Sequence, residues 1–316
     1  MADVFEFTSV EASVVAELSA RLGKSYGEPD VDDFLRDSPR LGLELPERLM
    51  ESLAGFRERR SRASLLIRGF PVAEHAIGPT PDHWRTRSPH RTIDQDFWLV
   101  LLASQLGRVF GWKSLQDGRL LNDIHPIRGQ EDEQTGHSSE TLLDFHTEDA
   151  FHPGRCEFLA LFCLRNPAGV ATTLASVQDV VLSEAQSRVL HERRFVIRPD
   201  DEHVRNAGPD GGLARPGAGV EGVSVLFGDP SDPFLRIDPP YMSTLPGDAE
   251  AGQALDELLQ QLESRLVDVV LEPGDLLLVD NYRCVHGRRP FPASYDGTDR
   301  WLRRAFVAPA ATSSLG

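Results

Sequence analysis

Residues 266–287 read LVDVVLEPGDLLLVDNYRCVHG. Two apolar runs, 266–271 and 276–279, flank Glu272-Pro273-Gly274-Asp275, a turn composition that sends the second run back along the first. The pattern predicts a hairpin whose second strand is buried and carries the chain towards His286. Just upstream, Ala251, Leu255, Leu258, Leu259, Leu262 and Leu266 share one helical face, so this part reads as helix followed by hairpin. Outward in both directions the texture is the same. LLNDI, FLALFCL, VSVLF and WLRRAFV are short apolar runs divided by Gly, Pro and Asp, which is β-rich chain from Leu120 onward.

The first hundred residues differ. Thr8 and Glu11 have capping-box spacing ahead of Val14, Val15, Leu18 and Leu22, with Gly23 as the expected C-cap. A second helix is expected from Pro46 through Leu49, Leu53 and Phe56, a buried strand over 63–70, and a third helix over 98–109. With no repeat and no Pro/Ser linker, the chain is expected to form one domain over 1–316. A mostly helical region, 1–110, would pack on a β core spanning 111–310. Segments 126–143 and 206–222 read as long loops; the first carries Glu131, Asp132 and Glu133, the second six glycines.

The 316 residues include 33 Lys plus Arg against 49 Asp plus Glu, a net charge of −16. With 40% hydrophobic and 26% charged residues the composition is that of a soluble globular protein. The negative charge excludes phosphate backbones and anionic membrane surfaces as natural partners and leaves small cations or zwitterions. Cys156, Cys163 and Cys284 form no CxxC pair, and the acidic start MADVFEF carries no signal pattern, so a reduced, cytoplasmic setting is expected. No stretch reaches the roughly 18 apolar residues of a spanning helix.

Two familiar motifs are chance matches. Gly23-Lys24-Ser25-Tyr26-Gly27 fits GxSxG but follows a helix, and the GxGxxG at 217–222 runs into a strand-like segment. More informative is His146-Thr147-Glu148, where alternation on an extended chain points imidazole and carboxylate to the same side. His286 lies 140 residues further on, as a distant third ligand of a 2-His-1-carboxylate site would. Arg300 and Arg304 follow, four residues apart, suited to hold carboxylates by bidentate pairing. Taken singly, each of these residues reads equally as a hydrogen-bonded histidine or a solvated arginine.

HTEDAFHP, Thr173-Leu174 within ATTLASV, DNYRCVHGRRPF and DGTDRWLRR together resemble the iron(II)/2-oxoglutarate oxygenases of the clavaminate synthase type. LQDGRLLNDIHPI and CLRNP are most similar to members that modify free basic amino acids, the lysine hydroxylases and their halogenating relatives. The resemblance covers about residues 111–307. It implies a mainly β fold with flanking helices and a double-stranded β-helix, or jelly-roll, core. It further implies Fe(II), 2-oxoglutarate and O2, with His146, Glu148 and His286 as iron ligands. Arg300 would bind the distal carboxylate of 2-oxoglutarate with help from Thr173, and Arg304 the substrate carboxylate. Asp149 matches the acid that meets a substrate amine. Asp238 stands where arginine-directed relatives hold a guanidinium, although Arg236 replaces an expected second acid.

Halogenating relatives have a small residue in place of Glu148, so hydroxylation is the expected outcome. The implied substrate is a small free basic L-amino acid, lysine ahead of ornithine and arginine, with the 131–133 acids covering its ammonium. A neutral or carrier-bound amino acid, desaturation or cyclisation, and a non-catalytic binding protein are the other readings. The last sits badly with a complete ligand set and its arginine. Oligomeric state is left open by the sequence.

Overall fold

The computed structural model describes residues 2–206 and 222–309. Its strands are β1 (Asp3–Glu6), β2 (Ser64–Arg68), β3 (Arg108–Phe110), β4 (Leu121–Ile124), β5 (Leu143–His146), β6 (Phe158–Arg165), β7 (Ala171–Ser176), β8 (Phe195–Ile197), β9 (Leu226–Asp229), β10 (Asp232–Leu235), β11 (Met242–Thr244), β12 (Val267–Val270), β13 (Leu276–Asp280), β14 (Cys284–Arg288) and β15 (Trp301–Ala308). The α-helices are α1 (Ser9–Tyr26), α2 (Asp32–Leu41), α3 (Glu47–Arg57), α4 (Glu74–Ile77), α5 (Ile93–Ala103), α6 (Glu184–His191), α7 (Asp201–Asn206) and α8 (Ala249–Ser264).

A large sheet in the order β1-β2-β13-β6-β15-β3, with β4 also on β15, faces a smaller sheet ordered β12-β7-β14-β5. Together they make a jelly roll. Between them Leu159, Leu161, Leu277, Leu302 and Phe306 of the large sheet meet Leu174 and Cys284 of the small one. On its outer face the large sheet buries Phe162, Leu276 and Trp301 against Val15, Leu53 and Trp98 of α1, α3 and α5. The small sheet buries Ala175 and Val285 against Leu190 of α6 and Leu258 of α8. Burial on both faces explains why FLALFCL is an unbroken apolar run: all of β6 is buried, with alternate residues serving alternate cores.

The expected hairpin at 266–280 does not form. β12 pairs with β7 in the small sheet, while β13 lies between β2 and β6 in the large one. The Glu272–Asp275 turn is real, since the Asp275 carboxylate accepts from Glu272 N at 3.0 Å, but it crosses from one sheet to the other. Turn chemistry specifies a reversal and leaves open whether the reversed strand bonds its neighbour or faces it. Gly274 is required there: its φ is +95° and a Cβ would stand 1.9 Å from the Phe70 carbonyl.

The capping box at Thr8 and Glu11 forms, but α1 runs through Gly23 and ends at Gly27, whose φ is +79°. The third helix starts and ends earlier than the apolar count suggests, and 108–110 is strand β3 beside β15. The sheet also begins before residue 111, because β2 inserts between β1 and β13. Residues 126–142 hold no helix or strand, as expected, whereas almost all of the glycine-rich 206–222 segment lies outside the described residues. Among the described residues no helix is long and apolar enough to cross a membrane.

Candidate active site

The smaller sheet brings His146 and His286 into register, because β14 pairs with β5 at these two residues. Their rings stand 4.6 Å apart. Past the end of β5 the chain is pinned twice. Thr147 N and Oγ1 donate to the Ile237 carbonyl at 2.9 and 3.0 Å. Asn281, fully buried just after β13, accepts from Glu148 N at 2.6 Å and donates to the Glu148 carbonyl at 3.0 Å. Glu148 Oε2 thereby lies 3.1 Å from His286 Nε2 and 3.9 Å from His146 Nε2.

This trio fits a divalent metal ion. Ligand atoms from all three lie within 4.8 Å of one another. Glu148 Oε2 is buried without a hydrogen-bond partner, the state of an oxygen that a cation would satisfy. Burial, followed by the neighbouring His286, pushes His146 down to about 4, so its imidazole is neutral and its lone pair available. His146 Nδ1 lies 2.8 Å from the Asp144 carbonyl, which turns Nε2 towards the trio. Burial opposes ionisation of Glu148, but Arg304 and the two imidazoles outweigh it and hold the carboxyl well below its usual range. Two imidazoles and one carboxylate on one side form a facial set suited to ferrous iron.

One wall of the adjoining cavity is cationic. Arg300, buried just ahead of β15, donates through Nη2 to Thr172 Oγ1 at 3.1 Å, and burial pushes it down to about 10. Its threonine partner is therefore Thr172 and not Thr173. Alternation along β7 puts Thr172 on the interior face and Thr173 on the other, where its hydroxyl lies beside Gly287. Arg304 ion-pairs with Glu148 Oε1 at 2.7 Å and reaches Asn122 Oδ1 at 3.3 Å. Arg303, between them, points the other way into a buried network with Asp96 and Asp123, which fixes β15 against α5 and β4.

The opposite end is acidic and built on loops. Asp149, at φ +51°, accepts from Trp112 Nε1 at 2.5 Å and lies 2.9 Å from His203 Nε2, so its carboxylate is already engaged. His203 Nδ1 in turn lies 2.6 Å from Ser114 Oγ. Asp200 and Glu202, at the start of α7, line the same cavity. Asp238 borders its continuation next to Tyr241, and burial together with Asp200, Glu148 and Asp149 pushes its carboxyl well up. No ion pair to Asp238 is present among the described residues. Arg236 turns away from it and donates to the Ala150 and Phe151 carbonyls.

The 131–133 acids do not cover this cavity. Glu131 accepts from Gly129 N and Tyr295 OH, and Glu133 pairs with Arg205, while the following Gln134, Thr135 and Gly136 line the cavity. Thr172, Arg288, Trp112, Asp200, Glu202 and His203 escaped the sequence reading. Strand alternation after Arg300's partner run offered a signal for Thr172; nothing local marked Trp112 or His203.

The jelly roll and its facial trio define a class of enzyme. Residues 102–306 match the family described as "Taurine catabolism dioxygenase TauD, TfdA family", and the chain belongs to it. It is a non-heme iron, 2-oxoglutarate-dependent oxygenase that uses O2. The chain is 38% identical over 314 residues to the enduracididine beta-hydroxylase of Streptomyces hygroscopicus, covering 94% of this chain and 92% of that one. It is 35% identical over 316 residues to the L-ornithine/L-arginine 3-hydroxylase of Catenulispora acidiphila, with the same coverage. The crystal structure of the non-heme iron oxygenase OrfP with Fe, succinate and (3S)-hydroxy-L-Arg superposes with a TM-score of 0.92 at 40% identity, covering 97% of this chain and 94% of that one.

Proposed function

We propose that this enzyme hydroxylates a free basic L-amino acid, and that a guanidino or ornithine-type side chain suits it better than lysine. His146, Glu148 and His286 would hold the iron. Arg300, with Thr172, would take the distal carboxylate of 2-oxoglutarate. When bound, iron and 2-oxoglutarate supply the oxidising power for C–H hydroxylation, with release of succinate and carbon dioxide.

The observation that carries the substrate reading is Asp238, a buried carboxylate at the cavity edge with no cationic partner among the described residues. With its carboxyl pushed up by burial and the neighbouring acids, it would ionise only beside a cation. Arg304, which pairs with Glu148 through Nη1 but whose Nε is buried without a partner, would receive the amino acid's carboxylate at the other end. The substrate would thus lie across the trio, with its charged groups fixed at both ends and its carbon chain beside the metal. Two observations weigh against lysine. Asp149, the expected amine partner, is engaged by Trp112 and His203, and Arg236, the apparent obstacle to arginine, faces backbone carbonyls. Two of the similar proteins are also named for arginine or hydroxyarginine.

Incubation with Fe(II), 2-oxoglutarate and a panel of amino acids, read by succinate release and mass of the product, tests this. Arginine or ornithine should gain one oxygen ahead of lysine. Faster turnover of lysine would overturn the side-chain preference; turnover of neutral amino acids alone would overturn the basic-substrate reading.

A further inference from the structure

Arg288 has no part in the reading above. It follows His286 by two residues on β14, so both side chains leave the strand on the interior face. Across the sheet it stands opposite Thr172, the residue whose hydroxyl accepts from Arg300. Directly opposed side chains on antiparallel strands have Cβ atoms about 5 Å apart. Two guanidinium groups therefore flank one threonine and line one cavity. Arg288 is 3% exposed and Arg300 6%, and among the described residues neither pairs with a carboxylate. Two buried cations side by side without a counter-ion are costly until an anion arrives.

The same guanidinium holds a loop. It donates to the carbonyl and hydroxyl of Ser138 and to the Thr141 carbonyl, the last at 2.8 Å, while its Nε has no partner. These acceptors belong to the irregular 126–142 segment, whose Gln134, Thr135 and Gly136 line the cavity towards the acidic end. No helix or strand secures this segment, and Arg288 shares that task with Phe291 N on the Ser139 carbonyl, Tyr295 on Glu131 and Arg205 on Glu133.

We infer that Arg288 is a positioning residue for the co-substrate: it sets a second positive charge beside the distal carboxylate of 2-oxoglutarate and ties the 126–142 loop to the occupancy of that end. Without the carboxylate, Arg288 and Arg300 repel each other and the loop is held less firmly. With it, the repulsion is relieved and the clasp tightens, so co-substrate binding firms the wall against which the amino acid then packs. This rests on the chain's being a 2-oxoglutarate enzyme and holds whichever amino acid it uses.

The test is binding of 2-oxoglutarate to the anaerobic Fe(II) protein by calorimetry, paired with trypsin cleavage after the exposed Arg128. Arg288→Met should weaken 2-oxoglutarate binding roughly tenfold, about the weight of one charge-assisted interaction. Arg288→Lys, which keeps the charge and loses the fork, should bind within about threefold of the parent while its loop is cut faster. In the unaltered protein 2-oxoglutarate should slow cleavage, and 2-oxobutyrate, which lacks the distal carboxylate, should not. This last comparison stands even if Arg288→Met does not fold. Unchanged affinity in Arg288→Met, or equal protection by 2-oxobutyrate, would overturn the inference and leave Arg288 as a loop fastener alone.

Discussion

The two ends of the cavity are built differently. At the co-substrate end Thr172, His286 and Arg288 sit within strands and Arg300 lies just ahead of β15, so sheet register sets most of their spacing. At the amino-acid end Asp149, Asp200, Glu202 and Asp238 come from turns and a six-residue helix, held by contacts such as His203 with Asp149. Strands fix what every member of the class needs, while loops can change with the substrate without disturbing the sheets. Charge divides the same way, with cations on the strand-built wall and acids on the loops.

If that division is sound, damage at the metal should be the most severe. Glu148→Ala is expected to cost more than the roughly 10- to 100-fold that loss of an outer-shell partner costs. Iron retention and succinate release should fall together. Full hydroxylation by this variant would remove Glu148 from the ligand set. At the strand-built end, Arg300→Gln should raise the KM for 2-oxoglutarate about 100-fold, as expected for stripping a buried charge of its partner, and leave iron content intact.

Asp238→Asn should show the reverse selectivity, raising the KM for the cationic amino acid by roughly 10- to 30-fold with that for 2-oxoglutarate unchanged. Equal effects on both constants would blur the boundary between the two ends. The loop-built end should also respond to pH. Burial works against protonation of His203, but the hydrogen bond to Asp149 and the nearby Asp200 and Glu202 prevail and raise it above the ordinary 6.5. Because the folded value is raised, the stabilisation is complete below 6.5 and is lost as pH rises through the folded value. The Tm gap between the parent and His203→Gln should therefore shrink on going from acid to alkaline pH, and a constant gap would rule out a protonated latch. The smallest change is expected from Arg205→Ala, which removes a half-exposed pair with Glu133 and should cost under about 1 kcal/mol in a denaturant titration.

What was legible in the sequence follows the same line. HTE and the arginines at 300 and 304 are short-range patterns at or beside strand ends, and His286 joins them through its pairing with His146. The hydroxyl that Arg300 meets belongs to Thr172 and not to its neighbour Thr173, a distinction hidden in the sequence because in a strand with both faces buried the two are equally apolar-flanked and only pairing with β14 tells inside from outside. Trp112 and His203 were out of reach, since Asp149 meets them across 37 and 54 residues of chain. The 266–280 stretch taught a similar limit. Its turn was written in Glu272-Pro273-Gly274-Asp275, yet its two strands were assigned to facing sheets.

The sequence by itself determined the class of chemistry, through motifs along a β-rich chain whose resemblance to the iron(II)/2-oxoglutarate oxygenases implies the facial trio and the co-substrate arginine. Tertiary structure decided which threonine Arg300 meets, that Asp149 is spent on Trp112 and His203, that Arg236 faces away from Asp238, and that Arg288 stands beside Arg300. Those outcomes depend on sheet register and on loops crossing between sheets. Both are settled by burial summed over the whole molecule, which no local run of residues encodes.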